Sequence, residues 1–353
     1  MTRDGVAVLH TGAWGDLYVA TAALSSVAQL NPGRPLFVVG SAKWLQILRP
    51  HGEIWKTLRG IVVSEDGWRG TRHAWIEGEW RETARVVKLT DFFREIQASY
   101  NLRTESLRFA WAPFLAGVPQ RHGSTPALWN RLLYTNRAPW LGKDPLIHER
   151  DRMLQVIEAP DNLSELAHEW SRTTGLPRLK EANPAKAEKL ASAKAGHYWL
   201  INPTSSRREK AWPAARFCEL YVQLAPILAR ASIELRILGA PWETEWLKET
   251  QPSGVNALVQ PESTQALLDV LSGAKALITN TSSTQFLAPG CGVRTLTLMG
   301  RSDPRIWGPL GPRDLVVRGE IDPLLSDDIF QQERRAYESI TVDRVLAACM
   351  DLL

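Results

Sequence analysis

Two carboxylates and two runs of hydroxyl and basic residues in this chain each follow an apolar run of strand length. The first carboxylate is Asp16. It closes Thr11-Gly12-Ala13-Trp14-Gly15-Asp16, after the apolar run Val6–His10 and before a helical pattern over Leu17–Leu30. The two glycines are three apart, which does not fit the G-x-G-x-x-G dinucleotide turn. A carboxylate at the carboxyl end of a strand faces the crevice where open α/β sheets bind ligands. There it can take a proton from an attacking hydroxyl as a general base. It can equally cap the helix that follows.

The second stretch is Asn202-Pro203-Thr204-Ser205-Ser206-Arg207-Arg208-Glu209-Lys210-Ala211-Trp212-Pro213. Thr204, Ser205 and Ser206 offer hydroxyl and backbone donors to a phosphate, and Arg207, Arg208 and Lys210 set positive charge beside it. The plainer reading is a solvated basic loop that enters a helix at Pro213. Its place after a strand favours a ligand. Glu243 closes Leu238-Gly239-Ala240-Pro241-Trp242-Glu243. A carboxylate there accepts two ribose hydroxyls well, or simply sits on the positive end of a helix; the residues alone favour the second. In Thr279-Asn280-Thr281-Ser282-Ser283-Thr284-Gln285, four consecutive hydroxyls exceed what one cap requires. At a helix start they suit a pyrophosphate. The seven histidines show no H-x-H or H-E-x-x-H spacing, so no metal site is expected. No G-x-S-x-G elbow or P-loop is present.

These loops need strands and helices to carry them. Val6–His10, Pro35–Val39 and Ile61–Val63 read as strands, and Leu17–Leu30, Ala42–Leu48, Phe92–Tyr100 and Ser106–Leu115 as helices. Glu65–Arg81, with Trp68, Trp75 and Trp80, reads as an insertion or hairpin. Its tryptophans are core or loop anchors, or else surfaces for sugar stacking or a membrane interface. Residues 150–195 read as mostly helical, with a linker over Pro177–Pro184. A second α/β pattern follows, with strands at Tyr198–Ile201, Ile233–Gly239, Ala276–Thr279 and Thr295–Met299. Its helices are Pro213–Leu228, Trp242–Thr250, Thr264–Ser272, Ser282–Gly290 and Thr341–Leu353. Two successive βα-rich halves predict two Rossmann-like domains facing a cleft.

Composition sets the outer limits. A chain of 353 residues exceeds a typical single core. Net charge is +4, too weak for a polycationic nucleic-acid binder, and it suits an anionic ligand or loose contact with an anionic membrane face. Cys218, Cys291 and Cys349 lie far apart, which argues for a reducing compartment. There is no signal-like start and no apolar run of membrane-spanning length. A cytoplasmic protein is expected, with peripheral contact at the inner membrane face left open.

Taken in order, the segments resemble glycosyltransferase family 9, the heptosyltransferases of lipopolysaccharide core assembly. Gly12 to Asp16, followed by Thr21-Ala22-Ala23-Leu24, is similar to the family's G-x-x-G-D turn and T-P-A-L helix. Leu115 to Gly123 resembles L-x-G-x-x-x-R-x-G. Asn202 to Phe217 resembles N-P-G-A-x-x-x-x-K-x-W-P-x-x-R-F, the most specific match. Gly239 to Glu243 resembles G-x-P-x-E, and Gly292-Val293-Arg294-Thr295 with Met299 to Pro304 resembles G-V-P-T…F-G-x-T-D-P. The tail Ile340 to Val345 is also similar.

The resemblance implies a GT-B fold with an acceptor-binding domain over residues 1–180 and a nucleotide-sugar domain over 181–335. A C-terminal helix over 336–353 would pack back on the first domain. It implies an inverting, metal-independent transfer without a cofactor. The donor would be a nucleotide-sugar, commonly ADP-heptose, and the acceptor a glycan, lipid-linked or protein hydroxyl; nucleic acid is not implied. Asp16 would be the base beside the acceptor-side loop Gly12, Trp14 and Gly15. Lys210 with Thr204, Ser205 and Ser206 would stabilise the leaving diphosphate. Glu243 would hold the ribose, and Asn280, Thr281, Ser282, Ser283 and Thr284 would line the donor site. One loop departs from the family pattern N-D-[ST]-G-x-x-H-L-A: here Thr281, Ser283 and Phe286 stand at its Asp, Gly and His positions. This opens the donor's identity and raises an alternative, a non-catalytic homologue that binds a nucleotide-sugar or glycan in a larger assembly. The retained Asp16, Lys210 and Glu243 favour catalysis.

Overall fold

Apolar strands without polar alternation must be covered on both faces, the condition of a parallel sheet between helices. The computed structural model describes residues 3–48, 57–103, 108–124, 132–138, 147–157, 184–311, 313–321 and 328–353. The chain divides into two compact units, residues 1–168 and 169–353.

The first unit holds β1 (Gly5–His10), β2 (Leu36–Gly40), β3 (Leu58–Val63), β4 (Arg69–Ile76), β5 (Glu79–Lys88), β6 (Ile96–Asn101), β7 (Gln120–Gly123) and β8 (Asn136–Arg137). Their order in the sheet is β5-β4-β3-β2-β1-β6-β7-β8. The six strands from β3 to β8 in that order are parallel and central β1 is buried throughout. Strand order reverses between β1 and β6, so the carboxyl end of β1 is a topological switch point. The helix Trp14–Leu30 leaves it and is buried from Leu17 to Ala28, as expected of a helix apolar on all sides.

The tryptophan-rich segment is a hairpin. β4 adds antiparallel to β3, and β5 to β4. The turn is the pair Glu77-Gly78, with φ of 52° and 88°. Two left-handed residues make the tight turn whose twist matches its strands, and glycine takes that conformation at little cost. The indole N–H of Trp80 donates to the Leu48 carbonyl at 2.7 Å, and Trp75 packs edge-on against Trp80. These two rings anchor the hairpin.

One expected helix is a strand. Residues 92–100 split into a short helix, Leu89–Phe93, and β6, which pairs with β1. β6 is nearly all buried at the sheet centre, so it carries no period-2 signal to separate it from a helix. The linker expected over residues 177–184 falls almost wholly outside the described residues, with a helix from Pro184 to Ala191 after it.

The second unit is all parallel: β9 (Tyr198–Asn202), β10 (Glu234–Leu238), β11 (Leu258–Val259), β12 (Ala276–Asn280), β13 (Arg294–Met299) and β14 (Leu315–Arg318). Their order is β11-β10-β9-β12-β13-β14, the doubly wound 3-2-1-4-5-6 arrangement, with its switch point between β9 and β12. The fold is α/β with two Rossmann-like units, as a GT-B chain requires. The helix Val342–Leu352 closes the described chain. It buries Val342, Val345, Cys349 and Leu352 in the second unit's own core, and these four residues are its apolar face. The Trp212 indole N–H donates to the Ile340 carbonyl at 2.9 Å, tying this closing segment to the loop after β9.

Two buried histidines are expected to make the first unit acid-sensitive. Burial, then the Arg103 charge, lower His10 from 6.5 to about 3. Burial lowers His122 to about 4, where it stacks on Tyr100 at 4.2 Å. Both pKa values fall on folding, so the stability they contribute is complete above pH 6.5 and is lost as pH falls toward 4 and then 3. Urea unfolding should show a loss between pH 7.5 and 5 of about 1–2 kcal/mol per histidine. His122→Phe, which keeps the stack, should remove about half of it; an unchanged pH slope in that variant refutes the assignment.

Candidate functional site

At the first switch point, Asp16 is the third residue of its helix. Its Oδ2 accepts the Ala13 N–H at 3.0 Å, and its Oδ1 has no hydrogen-bond partner among the described residues. The carboxylate therefore caps the helix with one oxygen and leaves the other without a hydrogen bond among the described residues. The two readings of Asp16 are compatible, because the cap fixes the side chain's direction. Gly12 has a steric reason: a Cβ there would lie 2.7 Å from both Asp16 Cβ and Oδ2. Gly15 is buried and Trp14 half-buried in the first turn. Across the switch point, Arg103 follows β6 and donates its guanidinium to the Thr11 carbonyl. Sequence reasoning passed over Arg103, since the segment before it read as a helix rather than a strand.

At the second switch point the hydroxyls divide into two groups. Asn202 ends β9, and its amide donates to Thr204 Oγ1 at 3.1 Å and to the Leu238 carbonyl at 2.9 Å. Its Oδ1 accepts from Thr284 at 2.9 Å, Thr279 at 3.3 Å and Ser282 at 3.4 Å. Ser282 and Thr284 are themselves 2.7 Å apart. Asn280, fully buried, donates to the Pro203 carbonyl at 2.6 Å and accepts the Trp212 N–H at 2.9 Å. These side chains stitch the β9 and β12 loops together, and buried polar groups pay for their desolvation only when paired in this way. Thr204, Asn280 and Thr284 thus act as framework. Ser205 and Ser283 are half-buried, and Ser206 is exposed. Ser205 donates to the Thr281 carbonyl at 3.3 Å. Thr281, at the family's Asp position, hydrogen-bonds Tyr337 and the Leu298 carbonyl. Phe286, at the His position, is buried.

The cations divide similarly. Arg208 makes a two-pronged pair with Glu249 at 2.7 and 2.8 Å and lies over Trp246, so it is committed. Arg207 lies over the Phe330 ring at 5.0 Å. Lys210 is exposed, with no carboxylate within 4 Å among the described residues. Glu243 repeats the Asp16 device: its Oε2 accepts the Ala240 N–H at 2.7 Å. Gln260 braces this turn through the Ala240 carbonyl and Thr244. Trp242 beside it is 86% exposed, an apolar surface at a strand's carboxyl end that sequence reasoning did not single out. Among the described residues no group of His, Cys, Asp or Glu is arranged to hold a metal ion, and no helix is long and apolar enough to cross a membrane.

Residues 103–330 match the family model of glycosyltransferase family 9 (heptosyltransferase). The chain is 24% identical over 337 residues to lipopolysaccharide heptosyltransferase 1 of Escherichia coli (strain K12), covering 91% of this chain and 95% of that protein. It superposes on the E. coli ADP-heptose lps heptosyltransferase II with a TM-score of 0.69 at 16% identity, covering 100% of this chain and 98% of that one. With E. coli heptosyltransferase WaaC, solved with ADP, the TM-score is 0.64 at 17% identity, covering 99% and 100%.

Proposed function

The chain belongs to glycosyltransferase family 9, and from that premise we propose that it moves a heptose-like sugar from an ADP-linked donor to a glycan hydroxyl, with inversion and without a metal ion. The first unit takes the acceptor and the second the donor. The observation that carries this is the chemistry at the second switch point. Lys210, with no carboxylate within 4 Å among the described residues, the exposed Ser206 and the half-buried Ser283 suit a diphosphate, and an oriented Glu243 suits a ribose.

In this reading Asp16 accepts the acceptor's hydroxyl proton as that oxygen bonds the anomeric carbon. The bond from that carbon to the diphosphate oxygen breaks on the opposite face, so the anomeric configuration inverts. ADP leaves with the bonding electron pair. Lys210 and the β9-loop donors stabilise the charge that develops on it, the largest service such a site can give. Glu243 and the exposed Trp242 face would hold the nucleoside. The acceptor is proposed to be a lipid-linked glycan, met at the inner face of a membrane. The relatives named with lipopolysaccharide, ADP-heptose and ADP support this reading.

A donor panel tests it. ADP and ADP-heptose should raise the melting temperature where UDP- and GDP-sugars do not. Glu243→Gln, which keeps the acceptor for the Ala240 N–H, should weaken ADP binding by about tenfold, the order of one hydrogen bond to a charged group. Equal stabilisation by UDP-sugars would sink the ADP assignment. The loss of the family's Asp and His at Thr281 and Phe286 favours a second reading, a binding protein without turnover. Release of ADP during transfer decides between the two.

A further inference from the structure

The helix Ile329–Ser339 touches the loops after β9, β12 and β13 at the carboxyl edge of the second unit, and it does so with one stripe of side chains. Phe330, Glu333 and Tyr337 are spaced i, i+3, i+7 and share a face. Phe330 lies under the Arg207 guanidinium of the β9 loop. The Tyr337 hydroxyl lies 3.2 Å from both Thr281 Oγ1 and the Leu298 carbonyl, on the β12 loop and β13, and can donate to either. Glu333 lies between them and is only 6% exposed. Its carboxylate rests against the turn after β13, where a Cβ on Gly300 would be 2.8 Å from Glu333 Oε1. The helix also packs on the Arg208–Lys210 turn.

A carboxylate this buried is costly unless compensated. Burial pushes the Glu333 carboxyl above its usual value; the charge of Lys210, the Arg301 N–H, and the charges of Arg301 and Arg318 pull it back. None of these cations pairs with it within 4 Å among the described residues. Arg318 is spent on the Arg301 carbonyl at 2.9 Å and on Asp303 at 3.8 Å. Lys210 and Arg301 are exposed and otherwise unpaired among the described residues. A buried carboxylate whose nearby charges include two exposed cations not otherwise paired among the described residues is a stability cost kept at a site.

We propose that Glu333 is a positioning residue for the transfer reaction, holding Lys210 and the Arg301 turn where a departing diphosphate develops its charge. The inference rests on the donor-site reading given above. Glu333 does not touch the nucleotide. It acts through Lys210, and as a negative charge behind the site it also opposes tight retention of ADP. The two effects have opposite signs on binding and on turnover, and that separates the role from a merely structural one.

The test is a double-mutant cycle in the full chain with Glu333→Gln and Lys210→Ala, reading kcat, ADP affinity and melting temperature. Glu333→Gln should lower kcat by about tenfold in the wild-type background and by less than about twofold beside Lys210→Ala, because contacting groups are non-additive. ADP should bind Glu333→Gln at least as tightly as wild type, and its melting temperature should not fall. An equal kcat loss in both backgrounds overturns the proposal. So does an unchanged kcat, or a joint fall of kcat, ADP affinity and melting temperature. Wild-type transfer by Lys210→Ala alone would overturn the donor-site reading itself, and this inference with it.

Discussion

Asp16→Asn is expected to slow sugar transfer by about 100- to 10,000-fold, the range lost when a general base is removed, while the first unit stays folded. The asparagine carbonyl can still accept the Ala13 N–H, so the cap seen at 3.0 Å survives. What disappears is the carboxylate proposed to take the acceptor's proton. Loss of the charge near the helix start costs only about 0.3–1 kcal/mol at a partly exposed position. Asp16→Ala removes both functions, so it should match the asparagine variant in rate and fall below it in melting temperature. Wild-type-like turnover in purified Asp16→Asn would show that Asp16 is only a cap.

Asp16 was legible in the sequence because strand, turn and helix are local patterns. An apolar run, a break at glycine and a periodic helix locate a strand's carboxyl end without tertiary information. The same logic located Lys210 and Glu243 at the ends of β9 and β10. It failed for β6, whose burial on both sides erases alternation. It also failed for the helix Ile329–Ser339, whose buried residues are few and include Glu333 and Tyr337. The division of labour among hydroxyls was not legible either. Thr284 and Ser283 look alike as residues, and only the position of Asn202 on a neighbouring strand commits Thr284 to the framework. Likewise Arg208 and Lys210 look interchangeable until Glu249, forty-one residues away, claims Arg208.

That commitment of Arg208 sharpens the expectation for Lys210. Removing a preorganised group that stabilises developing charge costs about 100- to 1,000-fold in kcat, and Lys210→Ala should fall in that range. Lys210 is exposed and makes no ion pair among the described residues, so its loss should leave the melting temperature near wild type. Arg208→Ala should behave in the opposite way. It breaks a surface pair with Glu249, worth about 0–1 kcal/mol of stability, and leaves kcat within about threefold of wild type. Lys210→Arg should recover only part of the rate, since a planar fork does not replace a compact ammonium at a fixed point. The contrast matters more than either variant alone. If the loop acted only as a basic patch, the two alanine variants would weaken turnover alike, and both defects would fade with added salt as long-range attraction is screened. A local role for Lys210 instead predicts a kcat defect that persists at saturating donor and high ionic strength. Equal, salt-sensitive losses in the two variants would return this loop to a solvated basic surface.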